Sequence, residues 1–209
     1  MNIDSIRREY TGEAFNKENV DVNPIQQFRN WFSEALESNI EDVNAMTLAS
    51  STASGIPSAR IVLLKHFDEK GFTFFTNFDS RKGAELVTNP LGAILFFWKE
   101  LYRQIRIEGK IEKVDDAESD EYFNSRPTES QIAAINSPQS HIIESREYLE
   151  KKIEDFKSNQ TKIQRPKNWG GFRLIPNHIE FWQGRPNRLH DRILYELVEN
   201  TWKISRLAP

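Results

Sequence analysis

The stretch YRQIRIEGKIEKV, residues 102–114, alternates apolar and polar side chains in the way that is typical of a β-strand. Ile105, Ile107 and Ile111 fall on one face, and the positions between them are mostly polar or charged. This pattern predicts a half-buried strand. The preceding run GAILFFW, residues 92–98, is largely apolar and predicts the other strand of a hairpin.

Other strand-like runs lie on both sides of this hairpin. They are AMTLASS (45–51), ARIVLLKHF (59–67), FTFFTNF (72–78), GGFRLIP (170–176), HIEFWQ (178–183), RLHDRILYELV (188–198) and TWKISRL (201–207). Helical signals dominate between the early group and the late group. Because strands and helices do not alternate, the pattern argues against a doubly wound parallel sheet. It predicts a mainly β, α+β fold, in which helices pack outside an antiparallel barrel.

Five segments show helix signals. The first, residues 24–38, begins at Pro24 and places these residues on one face: Ile25, Phe28, Phe32, Ala35 and Leu36. The others are RKGAELVTN (81–89) with Ser80 as its cap, DDAESDEYFNSR (115–126), TESQIAAINS (128–137) and SREYLEKKIEDFKSN (145–159). Thr128 and Gln131 have the spacing of a capping box, which predicts that Thr128 caps its helix.

Composition narrows the classes of function. The chain has 209 residues, of which 38% are hydrophobic, and this suits a globular protein with a sizeable core. The absence of cysteine excludes disulfides, thiolate metal sites and cysteine catalysis. A formal net charge of −3 disfavours general nucleic-acid binding, so any anion site has to be local. No apolar run reaches the length of a membrane span, and we expect a cytoplasmic protein.

Familiar nucleotide, metal and hydrolase motifs are absent. The chain has no Gly-x-Gly-x-x-Gly or Walker loop, no His-Glu-x-x-His and no Gly-x-Ser-x-Gly. Its four histidines are far apart in sequence, so we predict no metal site. Residues 1–20 are polar and lack periodicity, which predicts a mobile arm or a short helix. Residues 21–209 show no break in composition and predict a single domain.

Short cationic clusters lie beside hydroxyl and amide side chains. In SARIVLLK, Arg60 and Lys65 have an odd separation, which predicts opposite faces of a strand and different ligands, or different parts of one. Arg81 and Lys82 follow Ser80 at a helix start, where free N–H groups favour an anion. The other clusters are RQIR (103–106), YFNSRPTESQ (122–131), SPQSH (137–141) and WQGRPNRLHDR (182–192). Each alone is typical of a solvated surface, but together they suggest two phosphate sites.

These motifs resemble those of the pyridoxamine 5′-phosphate oxidase family. The resemblance runs from RREY at residues 7–10 to RLAP at residues 206–209. The matching sequence motifs include RIVLLK, TNFDSRK, RQIRIEG, YFNSRP, ESQI, SPQS, WGGFR, IEFWQG, RLHDR and WKISRLAP. The pair formed by IEFWQG and RLHDR is the most specific part.

The resemblance implies a split β-barrel that binds FMN and works as a homodimer with two active sites at the interface. It implies oxidation of pyridoxamine 5′-phosphate or pyridoxine 5′-phosphate to pyridoxal 5′-phosphate, the last step in forming that coenzyme. A hydride would pass from C4′ of the substrate to FMN, and O2 would reoxidise the flavin and become hydrogen peroxide. Placement of the reactants is then the main expected contribution of the protein.

The resemblance also implies roles for single residues. Cofactor-binding positions carry over to Arg60, Ile61, Val62, Leu63, Leu64, Lys65, Phe75, Thr76, Arg81, Lys82, Gln104, Gln139, Ser140, Trp182 and Arg192. Substrate-binding positions carry over to Arg7, Tyr10, Lys65, Tyr122, Arg126, Ser130, Arg188, Leu189 and His190. Arg7 and Tyr10 would act as a lid over bound substrate, and Arg188 and His190 would make the catalytic contacts. No ligand role is assigned to Arg185 or Pro186, and Phe75 stands where relatives commonly have tyrosine.

Three other functions fit parts of the pattern. A related split-barrel flavin reductase would not need the Tyr122, Arg126 and Ser130 set. A non-catalytic carrier of FMN or pyridoxal phosphate would not need Arg188 and His190. A barrel that binds single-stranded nucleic acid would use aromatic and cationic side chains on one face, and the negative net charge argues against it.

Overall fold

The computed structural model describes residues 9–159 and 162–209. The helices in this part of the chain are α1 (Pro24–Glu37), α2 (Arg81–Thr88), α3 (Asp116–Ser125), α4 (Thr128–Asn136) and α5 (Arg146–Ser158). The strands are β1 (Ala45–Ser51), β2 (Pro57–Leu63), β3 (His66–Asp68), β4 (Gly71–Asn77), β5 (Leu91–Trp98), β6 (Arg103–Lys113), β7 (Trp169–Gln183), β8 (Asp191–Val198) and β9 (Thr201–Leu207). Among the described residues, no helix combines the length and the apolar character needed to cross a bilayer.

The strands form one antiparallel sheet that closes on itself. Its order is β2-β1-β5-β6-β7-β4-β3, and β8 and β9 continue from β7. β2 and β3 are at opposite ends of this order, yet only Leu64 and Lys65 separate them in the chain. Since so short a link spans roughly 11 Å at most, the sheet must curl until its edges meet. The Lys65 N–H donates to the Thr73 carbonyl of β4 (2.9 Å) at this seam. The predicted barrel of antiparallel strands is confirmed.

β7 is the strand at which the sheet divides. It is one strand of 15 residues, so the prediction of two strands separated at Asn177 is wrong. Its first half pairs with β4, its second half pairs with β8, and β6 runs along its other edge. The β6–β7 register shifts between Glu108 and Gly109, opposite Pro176. This irregularity lets the strand continue through a proline, which has no N–H for the ladder.

Helix α1 covers an aromatic core inside the sheet. The Asn23 side chain caps the helix by accepting the Ile25 N–H (2.8 Å). Trp31 is 3% exposed whereas Leu36 is 53% exposed, so the predicted apolar face is wrong at Leu36 and the Trp31 side faces the core. Phe28 is fully buried, and its ring contacts Phe67, Phe72, Phe96 and Trp98.

The starts of two outer helices show how local sequence sets their position. Ser80 caps α2 as predicted, because its hydroxyl accepts the Gly83 N–H (3.3 Å). The predicted capping box of α4 is wrong, since Thr128 is already inside the helix and the cap position is Pro127. The Gln131 amide instead donates to the Arg126 carbonyl (2.7 Å) and joins the end of α3 to the start of α4.

The N-terminal segment of residues 9–20 lies against the barrel. Phe15 packs on Trp31, with 4.7 Å between ring centroids, and Val20 also contacts the core. Residues 1–8 of the predicted arm, including the proposed lid residue Arg7, lie outside the described residues. Residues 9–20 therefore pack at a defined position on the barrel.

Candidate active site

A cavity of about 500 Å³ lies between β2, β4 and helices α2, α3 and α4. Its lining includes many of the residues that the sequence predicted for ligand binding: Arg60, Ile61, Val62, Leu63, Lys65, Phe75, Thr76, Lys82, Tyr122, Arg126, Ser130 and Gln139. Pro127 and Trp169 complete the lining. Much of the predicted cofactor set thus shares one cavity with four of the predicted substrate residues.

Arg60 is fixed by neighbours on β1, β2 and α2. Its Nη1 donates to the Leu48 carbonyl (3.2 Å) and to the Ser50 hydroxyl (2.6 Å). Its Nη2 donates to the Ser58 hydroxyl and lies 3.4 Å from Glu85 Oε2. The guanidinium is therefore oriented before any ligand arrives.

Glu85 is the buried carboxylate that holds this network together, and its side chain is only 5% exposed. It accepts from the Ser50 hydroxyl (2.6 Å), from the Ser58 hydroxyl and from Arg81 Nε (2.9 Å). Burial alone would raise its pKa, but these hydrogen bonds and the charge on Arg60 outweigh burial and lower the pKa to about 2. Glu85 is therefore ionised at neutral pH.

Lys82 extends the cationic part of the cavity. Its Nζ donates to Gln139 Oε1 (2.9 Å), which also accepts from the Thr76 hydroxyl (3.1 Å). Burial, together with the charge on Arg60, lowers the pKa of Lys82 to about 8. Two cations thus lie close together at one wall, an arrangement that an anion would stabilise. Arg81 differs, because its side chain is 61% exposed and pairs with Glu85 outside the cavity lining.

One wall of the cavity is aromatic and carries two of the predicted substrate residues, Tyr122 and Arg126. Phe75 and Tyr122 are stacked with centroids 4.0 Å apart, and Trp169 lies parallel to Tyr122 at 6.2 Å. The Arg126 guanidinium lies 4.7 Å from the Trp169 ring centroid, and burial lowers its pKa. Arg126 Nη1 is buried and, among the described residues, has no hydrogen-bond partner. Such an orphaned donor beside a cavity suits an anionic ligand.

The predicted placement of Arg60 and Lys65 on opposite faces of one strand is wrong. β2 ends at Leu63, and Lys65 lies in the link to β3, so strand alternation does not extend to it. Both side chains line the same cavity. Leu64 is 4% exposed and packs in the core, so its side chain is not part of this lining. Ser140 is exposed and follows Gln139 with a positive φ of 69°.

A second cluster forms at the far end of β7. Gln104, Trp182 and Arg192 are paired across β6, β7 and β8, and cross-strand partners point to the same side of a sheet. Arg192 Nε donates to the buried Glu180 (2.7 Å), and this contact raises the pKa of Arg192. Its Nη1 donates to the Ala208 carbonyl (2.9 Å), which fixes the guanidinium beside Trp182.

His190 packs on this cluster in a defined tautomer. Its ring lies 4.6 Å from Trp182, and the Tyr10 ring meets both, at 5.7 and 5.6 Å. The Arg185 N–H donates to His190 Nδ1 (3.1 Å), which assigns the imidazole proton to Nε2. Burial and the charge on Arg188 both lower the pKa of His190. The ring is therefore neutral at pH 7 and offers Nε2–H as a donor.

Arg188 is presented by an unusual turn. Asn187 and Arg188 both have left-handed backbone conformations, with φ of 56° and 61°. Non-glycine residues adopt this region rarely, and the surrounding structure has to stabilise it. Arg188 and Leu189 are exposed on this turn, directly before His190.

The cavity and the second cluster are separate within one chain. Among the described residues, the cavity lining contains none of Gln104, Trp182, Arg188, His190 and Arg192. Trp169 at the cavity and Trp182 in the cluster lie near opposite ends of β7. A strand of 15 residues rises roughly 50 Å along its path, at about 3.3 Å per residue. One chain alone therefore divides the predicted ligand contacts between two places.

Two family models match the chain on either side of residue 165. The model described as pyridoxamine 5′-phosphate oxidase matches residues 32–160. The model described as the pyridoxine 5′-phosphate oxidase C-terminal dimerisation region matches residues 169–209. The chain belongs to the pyridoxamine 5′-phosphate oxidase family. It is 54% identical over 210 residues to the pyridoxine/pyridoxamine 5′-phosphate oxidase of Trichormus variabilis, covering 99% of this chain and 98% of the relative.

Solved structures of this oxidase family share the fold. PhzG from Burkholderia lata, solved with tetrahydrophenazine-1-carboxylic acid, is 28% identical, with a TM-score of 0.90 over 95% of this chain and 100% of the other. An FMN-binding protein from Nostoc punctiforme, described as related to pyridoxamine 5′-phosphate oxidase, is 16% identical. It has a TM-score of 0.72 over 91% of this chain and 100% of that protein, and the likeness concerns the fold.

The family resemblance predicted from the sequence is confirmed, and so are the split-barrel fold and an oxidoreductase of this flavin-binding family. The motifs recognised in the sequence also supplied most of the residues that line the cavity. They did not identify Glu85, which orients Arg60, or Trp169, which supports Arg126. Two features could have indicated the role of Glu85. It lies four residues after Arg81 on the same helix, and Ser50 faces Ser58 in the β1–β2 register.

Proposed function

We propose that this protein oxidises pyridoxamine 5′-phosphate and pyridoxine 5′-phosphate to pyridoxal 5′-phosphate, with FMN as cofactor and O2 as electron acceptor. One observation carries the proposal. A single cavity collects two groups of anion-binding side chains, on different elements and around an aromatic wall. Both FMN and the proposed substrates combine a phosphate with a flat ring, so this lining fits the two molecules together.

The first group suits the phosphate of FMN. Arg60 is fixed by its neighbours. The pKa of Lys82 is lowered by its burial and also by repulsion from the charge on Arg60. A phosphate dianion would relieve that repulsion and would receive charge-assisted hydrogen bonds. Gln139 and Thr76 lie next to Lys82 and would add neutral donors.

The second group suits the phosphate of the substrate. Arg126 has an unpartnered, buried Nη1, and Ser130 lies on the first turn of α4 in the same lining. Lys65 Nζ is 6.0 Å from the centroid of the Tyr122 ring. An arginine, a lysine and two hydroxyls are the usual chemistry of a phosphate site.

When bound, FMN would accept hydride from C4′ of the substrate and return two electrons to O2, giving hydrogen peroxide. The side chains of this chain would hold and orient the reactants. His190 offers Nε2–H to an acceptor on the substrate, and Arg188 offers a cation from the strained turn beside it. Trp182 and Arg192 offer an indole and a fixed guanidinium to the cofactor.

Because one chain separates the cavity from the Trp182 cluster, we infer a homodimer in which each site takes its cavity from one protomer and its Trp182 cluster from the partner. The family description of residues 169–209 as a dimerisation region supports this inference. So does the exposure of large apolar side chains on the β2–β1–β5 part of the sheet. These are Ile61 (65%), Leu63 (40%), Leu91 (59%) and Phe97 (55%).

Steady-state product analysis tests the proposed function. Protein reconstituted with FMN is given pyridoxine 5′-phosphate in air, and pyridoxal 5′-phosphate and hydrogen peroxide are both quantified. We expect one peroxide for each aldehyde formed. Unphosphorylated pyridoxine is the matched control and should be a poor substrate, since it lacks the group that Arg126 would bind. Equal rates with and without the phosphate would contradict the assignment of the second group.

A further inference from the structure

Arg185 connects the N-terminal segment to the turn that carries Arg188 and His190. Its Nη1 donates to the Gly12 carbonyl (2.7 Å), and its Nε lies 3.4 Å from Asp191 Oδ2. The side chain is only 30% exposed. One guanidinium thus bridges the backbone of residue 12 and the first residue of β8.

Asp191 is the shared anchor of this contact, and its side chain is 14% exposed. Its Oδ2 accepts the Phe15 N–H (3.0 Å), and its Oδ1 accepts from Arg206 Nη1 (2.7 Å). Arg206 Nη2 donates to the Phe15 carbonyl (3.2 Å) and to Asn16 Oδ1 (3.0 Å). Two arginines and one carboxylate therefore bind the segment largely through its backbone groups.

The segment also has a close steric fit. A Cβ added to Gly12 would overlap the Gln183 amide, and a Cβ added to Gly184 would lie 2.8 Å from Tyr10 Cγ. Gly12 and Gly184, on two segments of the same chain that face each other, let the N-terminal segment approach this closely. Tyr10 then sits edge-on to Trp182, His190 and Tyr102, at 5.6, 5.7 and 5.4 Å.

We propose that Arg185 is a positioning residue, which fastens residues 10–16 and so holds Tyr10 against Trp182 and His190. Its consequence for substrate affinity rests on the proposed function, whereas the fastening itself does not. Because the donor to His190 Nδ1 is the backbone N–H of Arg185, a substitution of the Arg185 side chain keeps the hydrogen bond that sets the His190 tautomer. Loss of the side chain therefore loosens the Tyr10 segment without altering the imidazole.

The test compares Arg185→Ala, Arg185→Lys and Gly12→Ala with Arg146→Ala, which removes an exposed arginine–glutamate pair on α5. Hydrogen exchange of residues 10–16 in the FMN-loaded protein measures the fastening, and steady-state kinetics measure its consequence. We expect Arg185→Ala to speed exchange in this segment. It should also raise KM for pyridoxamine 5′-phosphate about tenfold, with kcat changed less than about twofold.

Arg185→Lys should recover part of the affinity, because the ammonium still reaches one acceptor, and Gly12→Ala should resemble Arg185→Ala. Exchange in Arg185→Ala equal to that in Arg146→Ala would overturn the proposal. Faster exchange with unchanged KM would also overturn it, because the segment would then be fastened without serving the site. A wild-type protein that oxidises neither phosphorylated substrate would contradict the proposed function instead, and the exchange rates would still decide whether Arg185 fastens the segment.

Discussion

At the scale of single residues, we expect the charge of Lys82 to respond to a phosphate bound in the cavity. Burial and Arg60 lower its pKa to about 8, so near that pH the free protein holds only part of this charge. A bound phosphate dianion favours the protonated ammonium. Binding above about pH 8 therefore requires proton uptake, which lowers the affinity as the pH rises.

We predict that FMN affinity falls by up to about tenfold between about pH 7 and about pH 9. Quenching of flavin fluorescence on binding measures the dissociation constant. The phosphate stays a dianion across this range, so the change reports on the protein. Lys82→Met should bind FMN more weakly with little pH dependence over the same range. Riboflavin, which lacks the phosphate, is the ligand control. An affinity for FMN that stays constant across this range would contradict the proposed role of Lys82.

His190 is a second titratable residue for which the structure sets the direction of the pKa shift. Burial and then the charge on Arg188 lower its pKa, and the Arg185 N–H occupies Nδ1. The folded state therefore binds fewer protons than the unfolded chain. Its contribution to stability is complete above the unfolded pKa of about 6.5 and is lost as the pH falls through the folded pKa.

We predict a neutral His190 ring with its proton on Nε2 at pH 7, titrating below about pH 6.5. Nitrogen NMR of labelled imidazoles distinguishes the two tautomers and follows the titration. A proton on Nδ1, or a His190 midpoint above about pH 6.5, would contradict the assignment.

Most residues that line the cavity could be predicted from the sequence, because they belong to short motifs of cationic, hydroxyl and amide side chains that are visible without the fold. The role of Glu85 could not be predicted from the sequence, because it arises only in the folded state. A carboxylate on α2 meets Ser50 and Ser58 only after the β1–β2 hairpin has paired in register. Arg60 and Lys65 were placed on opposite faces because the end of β2 at Leu63 was not visible in the sequence.

At the scale of elements, α1 contributes Phe28 to the core. Phe28 is fully buried, and its ring contacts five aromatic side chains. Removing its ring would leave a cavity that rigid strands on the other side cannot fill. We predict that Phe28→Ala lowers the free energy of unfolding by about 3–5 kcal/mol. Leu36→Ala, at the exposed side of the same helix, should change it by less than about 1 kcal/mol.

Urea unfolding of both variants, loaded with FMN to the same extent, checks this difference. Similar losses for the two variants would mean that α1 does not anchor the core.

Element types were well predicted, because the apolar periodicity of each segment records which face is buried. Boundaries were less predictable. At Asn177, where a break was expected, β7 continues, and Asn177 is its extra residue at the shift in the β6–β7 register. The start of α4 is set by Pro127.

At the scale of the whole molecule, the proposed ligand contacts lie near opposite ends of β7, and the proposed homodimer would bring them together. The sequence indicates the contacts but not their separation, because the separation depends on how the sheet divides between β4 and β8. A two-fold dimer would bring the cavity of each chain together with the Trp182 cluster of the partner, so that each pair forms one site. The largest apolar surfaces exposed on β2 and β5 are where such a partner would pack.

Mixed dimers test this arrangement. Arg126→Ala disables the cavity and Arg188→Ala disables the turn, so each homodimer should be nearly inactive. In a heterodimer of the two variants, composite sites would place both defects in one site and leave the other site intact. We predict that statistical mixing restores about a quarter of wild-type activity. No recovery, with heterodimers shown to form, would mean that each site is built from one chain.

We propose that this protein transfers hydride from pyridoxine 5′-phosphate or pyridoxamine 5′-phosphate to FMN. The most direct measurement adds pyridoxine 5′-phosphate to the FMN-loaded protein without oxygen and records the visible flavin absorbance. We expect the absorbance to bleach, and to recover with release of peroxide when air is admitted. A flavin that stays oxidised with both pyridoxine 5′-phosphate and pyridoxamine 5′-phosphate would contradict the claim.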